Sequence, residues 1–143
     1  MYEYRATLRK VVDGDTLDCD IDCGFGIVLS NQRIRLYNLD TPESRTRDLE
    51  EKKFGLLAKQ FLKDHTPPVF TLRTRLDKKG KYGRILGEII VYYPEFDREM
   101  SLNTVMVMKH LGVEYSGNSK EDIAEQHLKN RELLYESGMV VQG

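Results

Sequence analysis

The stretch Leu17-Asp18-Cys19-Asp20-Ile21-Asp22-Cys23 alternates apolar and acidic residues without a break. A strict period of two marks a strand with one face in a core and the other in water. Here the wet face is a row of carboxylates, Asp18, Asp20 and Asp22. Before it, Asp13-Gly14 is a turn signal, and Tyr4, Ala6, Leu8 and Lys10 alternate with charged or polar neighbours. After it, Gly24-Phe25-Gly26 breaks the pattern and Ile27-Val28-Leu29 resumes it. Asn31-Gln32 reads as another turn, and Arg33 to Leu39 alternates again. The first third of the chain is therefore β.

The period changes near Asp48. Phe54, Leu57, Ala58, Phe61 and Leu62 fall at helical spacing and form one apolar stripe, which Pro67-Pro68 ends. Two strands follow, Val69 to Leu76 and Ile85 to Tyr93, joined by a glycine-containing hairpin connection from Asp77 to Gly83. Ser101 is placed to cap a short helix reaching about His110, with Gly112 as its stop. Ser119 opens a capping box ahead of Ile123, and the last helix runs to Ser137. The strands lie too close in sequence for parallel crossovers, so the order favours a small barrel with helices packed on one side.

At 143 residues, with 40% hydrophobic and 31% charged, the chain fits one domain, 1–143, with a core of its own. No apolar run approaches a membrane span, and the N-terminus lacks the basic start and apolar stretch of a secretory signal. The expectation is a cytoplasmic protein with no membrane partner. A net charge of -1 means that any nucleic-acid binding must come from a segregated basic surface. Arg73, Arg75, Lys78, Lys79, Lys81 and Arg84 cluster along one hairpin and are the expected patch. Cys19 and Cys23 would stand roughly 13 Å apart in a strand, beyond the span of a disulfide, and read as small buried hydrophobes. Met106 and Met108 read as core filler, and His65, His110 and His127 as surface or core residues without the spacing of a triad or metal site.

Four places hold residues suited to chemistry. Asp13-Gly14-Asp15-Thr16 is a turn between strands that carries two carboxylates. It is not an EF-hand loop, because Leu17 and Asp18 stand where a ligand and a glycine are required. In Arg35-Leu36-Tyr37-Asn38-Leu39-Asp40-Thr41-Pro42-Glu43 a strand ends in a carboxylate and proline forces an exit. Lys81-Tyr82-Gly83-Arg84 lies at a hairpin tip, and Tyr115 follows a helix stop.

In order and approximate spacing these motifs resemble the signature of the staphylococcal nuclease family. Asn103 to Tyr115 and Glu125-Gln126-His127-Leu128 are similar to its C-terminal helical part. The resemblance covers nearly the whole chain. It implies an α+β fold, a five-stranded OB-fold β-barrel with three flanking α-helices, and a calcium-dependent nuclease acting on DNA or RNA. A monomer is the expectation, although no residue pattern indicates the oligomeric state. Family members leave 3′-phosphates and a 5′-hydroxyl end. By the resemblance, Asp15, Asp40 and the Thr41 main-chain carbonyl hold Ca²⁺, while Arg35 and Arg84 grip the scissile phosphate. Glu43 orients or deprotonates the attacking water, and Lys81, Tyr82 and Tyr115 bind the nucleotide. The segment between Thr16 and Arg35 is longer than in the exported prototype, reading as a longer hairpin. Asp18, Asp20 and Asp22 on it form either a solvated face or an extra metal site.

The chemistry supports such a set independently. Phosphodiester cleavage gathers negative charge on the equatorial oxygens. Guanidiniums and a dication placed there stabilise the transition state more than the ground state. The alternative is a non-catalytic module on the same fold that binds nucleic acid or protein. Asp15, Arg35, Asp40, Glu43 and Arg84 together favour catalysis, because charges are costly to bury without partners.

Overall fold

The computed structural model describes residues 2–75, 85–115 and 117–141. Strand β1 (Tyr2–Asp13) turns at Gly14 into β2 (Thr16–Asp22), and a tight loop leads to β3 (Val28–Leu36). A two-residue strand β4 (Leu39–Asp40) precedes helix α1 (Leu49–His65). Then come β5 (Val69–Arg75), β6 (Ile85–Tyr93), β7 (Arg98–Ser101), α2 (Leu102–Met108), β8 (Val113–Glu114) and α3 (Lys120–Glu136).

The main sheet runs β3-β2-β1-β5-β6-β7, and β3 also pairs with β6. That second pairing closes β1, β2, β3, β5 and β6 into a barrel. It is parallel and brief, setting Ile34 against Ile85, Arg35 against Leu86 and Leu36 against Gly87. One long strand serves two partners: β1 pairs β5 through Tyr2 to Thr7 and β2 through Arg5 to Asp13. Register shifts between Leu8 and Lys10 and between Val11 and Asp13 bend it around the barrel, as bulges do. This is the expected five-stranded OB-fold barrel with three flanking helices.

Alternation fills the interior as the sequence dictates. Leu17, Cys19 and Ile21 of β2 point inward with Ile34, Leu36, Leu72 and Ile89. Phe54, Ala58 and Leu62 of α1 cover one end, together with Leu102, Val105 and Met106 of α2. Asp48 caps α1 by accepting from the Glu50 and Glu51 amides, and Ser119 caps α3 by accepting from the Asp122 amide. Both cysteines are free, and burial pushes the Cys19 thiol up to about 12, which makes it inert. No helix among the described residues is long and apolar enough to cross a membrane.

Several local expectations are corrected. Asn31-Gln32 is not a turn but part of β3. Asp20 faces an extra residue there, and Asn31 takes a left-handed φ of 51° while its amide bonds the Asp20 carboxylate at 2.7 Å. Ser101 precedes α2, but its hydroxyl makes no capping bond. The helix stops before Gly112, and His110 supplies the left-handed residue. Gly112 serves close packing instead: a Cβ there would lie 2.4 Å from Leu39 Cδ1 and 3.1 Å from the Asp40 carbonyl. Met106 is buried as expected, whereas Met108 is half exposed. The end of the Val69–Leu76 strand and the hairpin connection from Asp77 to Gly83 lie outside the described residues.

The carboxylate row on β2 is engaged in pairing. Asp18 takes two bonds from Arg33, Asp20 one from Arg9, and Asp22 accepts from the Gly24 amide.

Candidate nuclease site

Three segments meet at the mouth of the barrel. Asp15 stands in the β1–β2 turn, Arg35 in β3 beside the β3–β6 seam, and Asp40 in β4. The Arg35 guanidinium lies between the two carboxylates: Nη1 is 3.3 Å from Asp15 Oδ2 and Nη2 is 3.5 Å from Asp40 Oδ1. It is fixed there by the backbone. Nη1 donates to the Leu39 carbonyl at 2.7 Å and to the Asp15 and Leu36 carbonyls at 3.3 Å. Arg35 and Asp15 keep only 19% and 13% of their side-chain surface exposed, and Asp40 keeps 33%.

Asp15 holds the segments together. Its Oδ2 accepts from the Thr41 amide at 3.1 Å, across 26 residues of sequence, and its Oδ1 accepts from the Thr16 hydroxyl at 3.0 Å. Burial pushes its carboxyl above the ordinary 3.8, and the nearby Asp13 adds to this. Arg35, the Thr41 amide and the Thr16 hydroxyl oppose the shift. Gly14 permits the approach, since a Cβ on it would meet Ala58 Cβ and Thr41 Oγ1 at 2.8 Å.

Glu43 follows on the loop after β4 and is exposed. Its amide donates to Glu51 Oε2 of α1 at 3.1 Å. Gly55, one turn along α1, lets the helix lie directly on this loop: a Cβ there would sit 2.2 Å from the Glu43 carbonyl oxygen. Tyr115 is 51% exposed beyond β8, with its amide on the Asn38 carbonyl at 3.3 Å. Lys81, Tyr82 and Arg84 lie outside the described residues, as do Lys78 and Lys79. Of the expected basic patch, Arg73 is neutralised by Glu3. Arg75 pairs with Glu88 and sits over the Tyr37 ring. Neither offers a free positive charge.

His127, read from sequence as a surface or core residue without the spacing of a triad or metal site, meets a carboxylate. Its Nε2 lies 2.7 Å from Asp40 Oδ2, 87 residues away, so the ring donates to that carboxylate. Its face of α3 also carries the buried Ile123 and Leu134 and Asn130, whose side chain bonds the Gly112 carbonyl. Helical periodicity through Ile123, His127, Asn130 and Leu134 is the signal that would have turned His127 inward.

The donors suit a hard divalent cation. Asp15 and Asp40 supply carboxylates, and the Thr41 main chain lies beside them. The buried Thr41 Oγ1 has no hydrogen-bond partner. A desolvated carboxylate such as Asp15 is stabilised by a neighbouring positive charge. No group of three or more His, Cys, Asp or Glu residues is placed to hold a metal among the described residues.

Comparison with known proteins finds related sequences. A thermonuclease of Staphylococcus intermedius is 32% identical over 83 residues, which are 57% of this chain and 46% of that protein. Protein ParB of Escherichia coli is 33% identical over 91 residues, 62% of this chain and 43% of that protein. The chain thus spans less than half the length of each of these relatives. The sequence model described as staphylococcal nuclease homologue matches residues 33–134, from the strand that carries Arg35 to the helix that carries His127. With most of its length inside that match, the chain belongs to the staphylococcal nuclease homologue family.

Proposed function

We propose that this domain is a calcium-dependent nuclease that hydrolyses phosphodiester bonds of DNA or RNA by in-line attack of water. One observation carries the reading: Asp15 and Asp40 converge on the single guanidinium of Arg35 at 3.3 and 3.5 Å. Two carboxylates against one fixed cation leave a net negative site that attracts a dication. The nuclease-related family supports the same assignment.

In this reading Asp15, Asp40 and the Thr41 carbonyl hold the calcium. When bound, the ion polarises the phosphoryl oxygen and offsets charge gathered in the transition state. Arg35 donates to the equatorial oxygens, and its backbone anchors keep it from rotating away, so little reorganisation is needed during reaction. Glu43 is held by its own amide on Glu51 and by α1 packed beneath. It accepts a hydrogen bond from the attacking water and orients it toward phosphorus. Arg84 adds a second guanidinium, and Lys81, Tyr82 and Tyr115 bind the flanking nucleotide; cleavage leaves a 3′-phosphate.

The test is incubation of the purified protein with single-stranded DNA and Ca²⁺, repeated with a chelator. The expected result is degradation that the chelator abolishes. Binding without cleavage in both conditions favours the non-catalytic module and rejects the nuclease.

A further inference from the structure

A cleft of about 330 Å³ opens from Asp40, Thr41 and Glu43 toward α3, and the roles above leave its α3 side unused. Asp40, Thr41, Pro42 and Glu43 form its floor, and Ala124, His127, Leu128 and Arg131 of α3 form a wall. Tyr115 is not among the residues that line it.

Arg131 distinguishes this cleft. It is half-buried, and no carboxylate pairs with it among the described residues. Its Nε is buried without a hydrogen-bond partner. Its guanidinium carbon stands 5.4 Å from the centre of the Phe54 ring, which holds the side chain in place. Arg131 is one helical turn beyond His127, on the same side of α3, and His127 touches Asp40. The sequence therefore sets a positioned cation with no direct ion pair, among the described residues, one helical turn from the His127 that touches Asp40. Leu128, 56% exposed, and Pro42 give the cleft apolar surface of the kind that a base or sugar covers. Asp40, Glu43 and Glu51 also line it, so an anion enters favourably only at the Arg131 end.

We propose that this cleft is a second nucleotide subsite, in which Arg131 binds a phosphate of the substrate strand flanking the scissile one. The inference rests on the nuclease reading and extends it. Arg131 contacts substrate away from the reacting atoms, so it governs substrate affinity and not the chemical step. A guanidinium suits the task because its fork makes two parallel bonds to a phosphate and remains charged.

The experiment measures KM and kcat for cleavage of a single-stranded oligonucleotide of about ten residues with calcium, across about 50 to 200 mM salt. Wild type, Arg131→Gln and Arg131→Lys are compared. Arg131→Gln is expected to raise KM about ten- to a hundredfold with kcat within twofold, since one charged hydrogen-bonded contact is lost. It also flattens the slope of log KM against log salt by about 0.7, the share of one phosphate on a single strand. Arg131→Lys keeps the wild-type slope because it keeps the charge. If wild type cleaves and Arg131→Gln matches it in KM and slope, the subsite is wrong and the nuclease reading stands. If both variants lose the same amount and melt at lower temperature, Arg131 is structural and the subsite is again wrong. If wild type does not cleave at all, both readings fall.

Discussion

At the scale of single residues, Arg35 carries the most geometry. Three carbonyls and two carboxylates surround one guanidinium, and only a planar fork satisfies that many acceptors at once. Arg35→Lys is therefore expected to lower kcat by a hundredfold or more, about 3 kcal/mol, while oligonucleotide binding changes only a few-fold. Single-turnover kinetics beside a binding titration check this, and equal minor losses in both would remove Arg35 from the chemistry. Asp15 makes a second case. Its folded carboxyl is raised by burial, so the folded protein holds that proton more tightly than the unfolded chain. The corresponding stability is present below the ordinary 3.8 and is lost as pH rises through the raised value. Asp15→Asn is thus expected to melt at higher temperature than wild type at neutral pH without calcium, yet to gain nothing from calcium. Melting curves at pH 7 with and without the ion decide it; a lower metal-free melting temperature for the variant contradicts the sign. His127→Gln tests the contact on Asp40. A group that holds a ligand from outside the shell is expected to weaken calcium affinity about ten- to a hundredfold, with the fold intact by melting temperature.

At the scale of elements, close approach of backbones sets the site. Helix α1 lies on the Glu43 loop because residue 55 has no side chain. Gly55→Ala puts a methyl group into a main-chain carbonyl and is expected to cost about 1 to 3 kcal/mol. It also lowers kcat by moving Glu43, although Gly55 touches no substrate. Denaturant unfolding and kinetics together test this, and unchanged values in both would mean that the loop adjusts freely. The strands and helices of this domain were largely legible from periodicity, since Leu17 to Cys23 and the Phe54 to Leu62 stripe each face one core. Others were not: β8 (Val113–Glu114) carries no signal of its own, and the run from Arg33 to Leu39 is broken between Leu36 and Leu39. The bulge at Asn31 reads as a turn because asparagine suits a left-handed backbone in either setting. Strand β7, Arg98 to Ser101, lacks apolar alternation because it is added at the sheet edge and has no fully buried residue. In the site, Asp15, Arg35, Asp40 and Glu43 were legible through short motifs of recognisable order. His127 and Arg131 were not, because only the docking of α3 on α1 and on Gly112 brings them to the carboxylates.

At the scale of the whole molecule, the charge balance separates this domain from a strongly basic nucleic-acid binder. The net charge is -1, Asp18 and Asp20 of β2 are paired, and Arg73 and Arg75 are spent on Glu3 and Glu88. Under the proposed function, substrate affinity is expected to come from few phosphate contacts and to show a shallow salt dependence. The barrel contributes by closing at β3–β6, which brings the Arg35 strand and the Asp40 strand to the turn that holds Asp15. The most direct test of that convergence is a calcium titration of wild type and Asp40→Asn, reading single-stranded DNA cleavage and melting temperature in parallel. For wild type, cleavage and stabilisation are expected to rise over one calcium range, reaching about 2.7 kcal/mol at a hundredfold excess over Kd. Asp40→Asn shifts both curves together to higher calcium. Wild-type cleavage that persists in chelator, or an Asp40→Asn curve superimposed on that of wild type, would contradict the account.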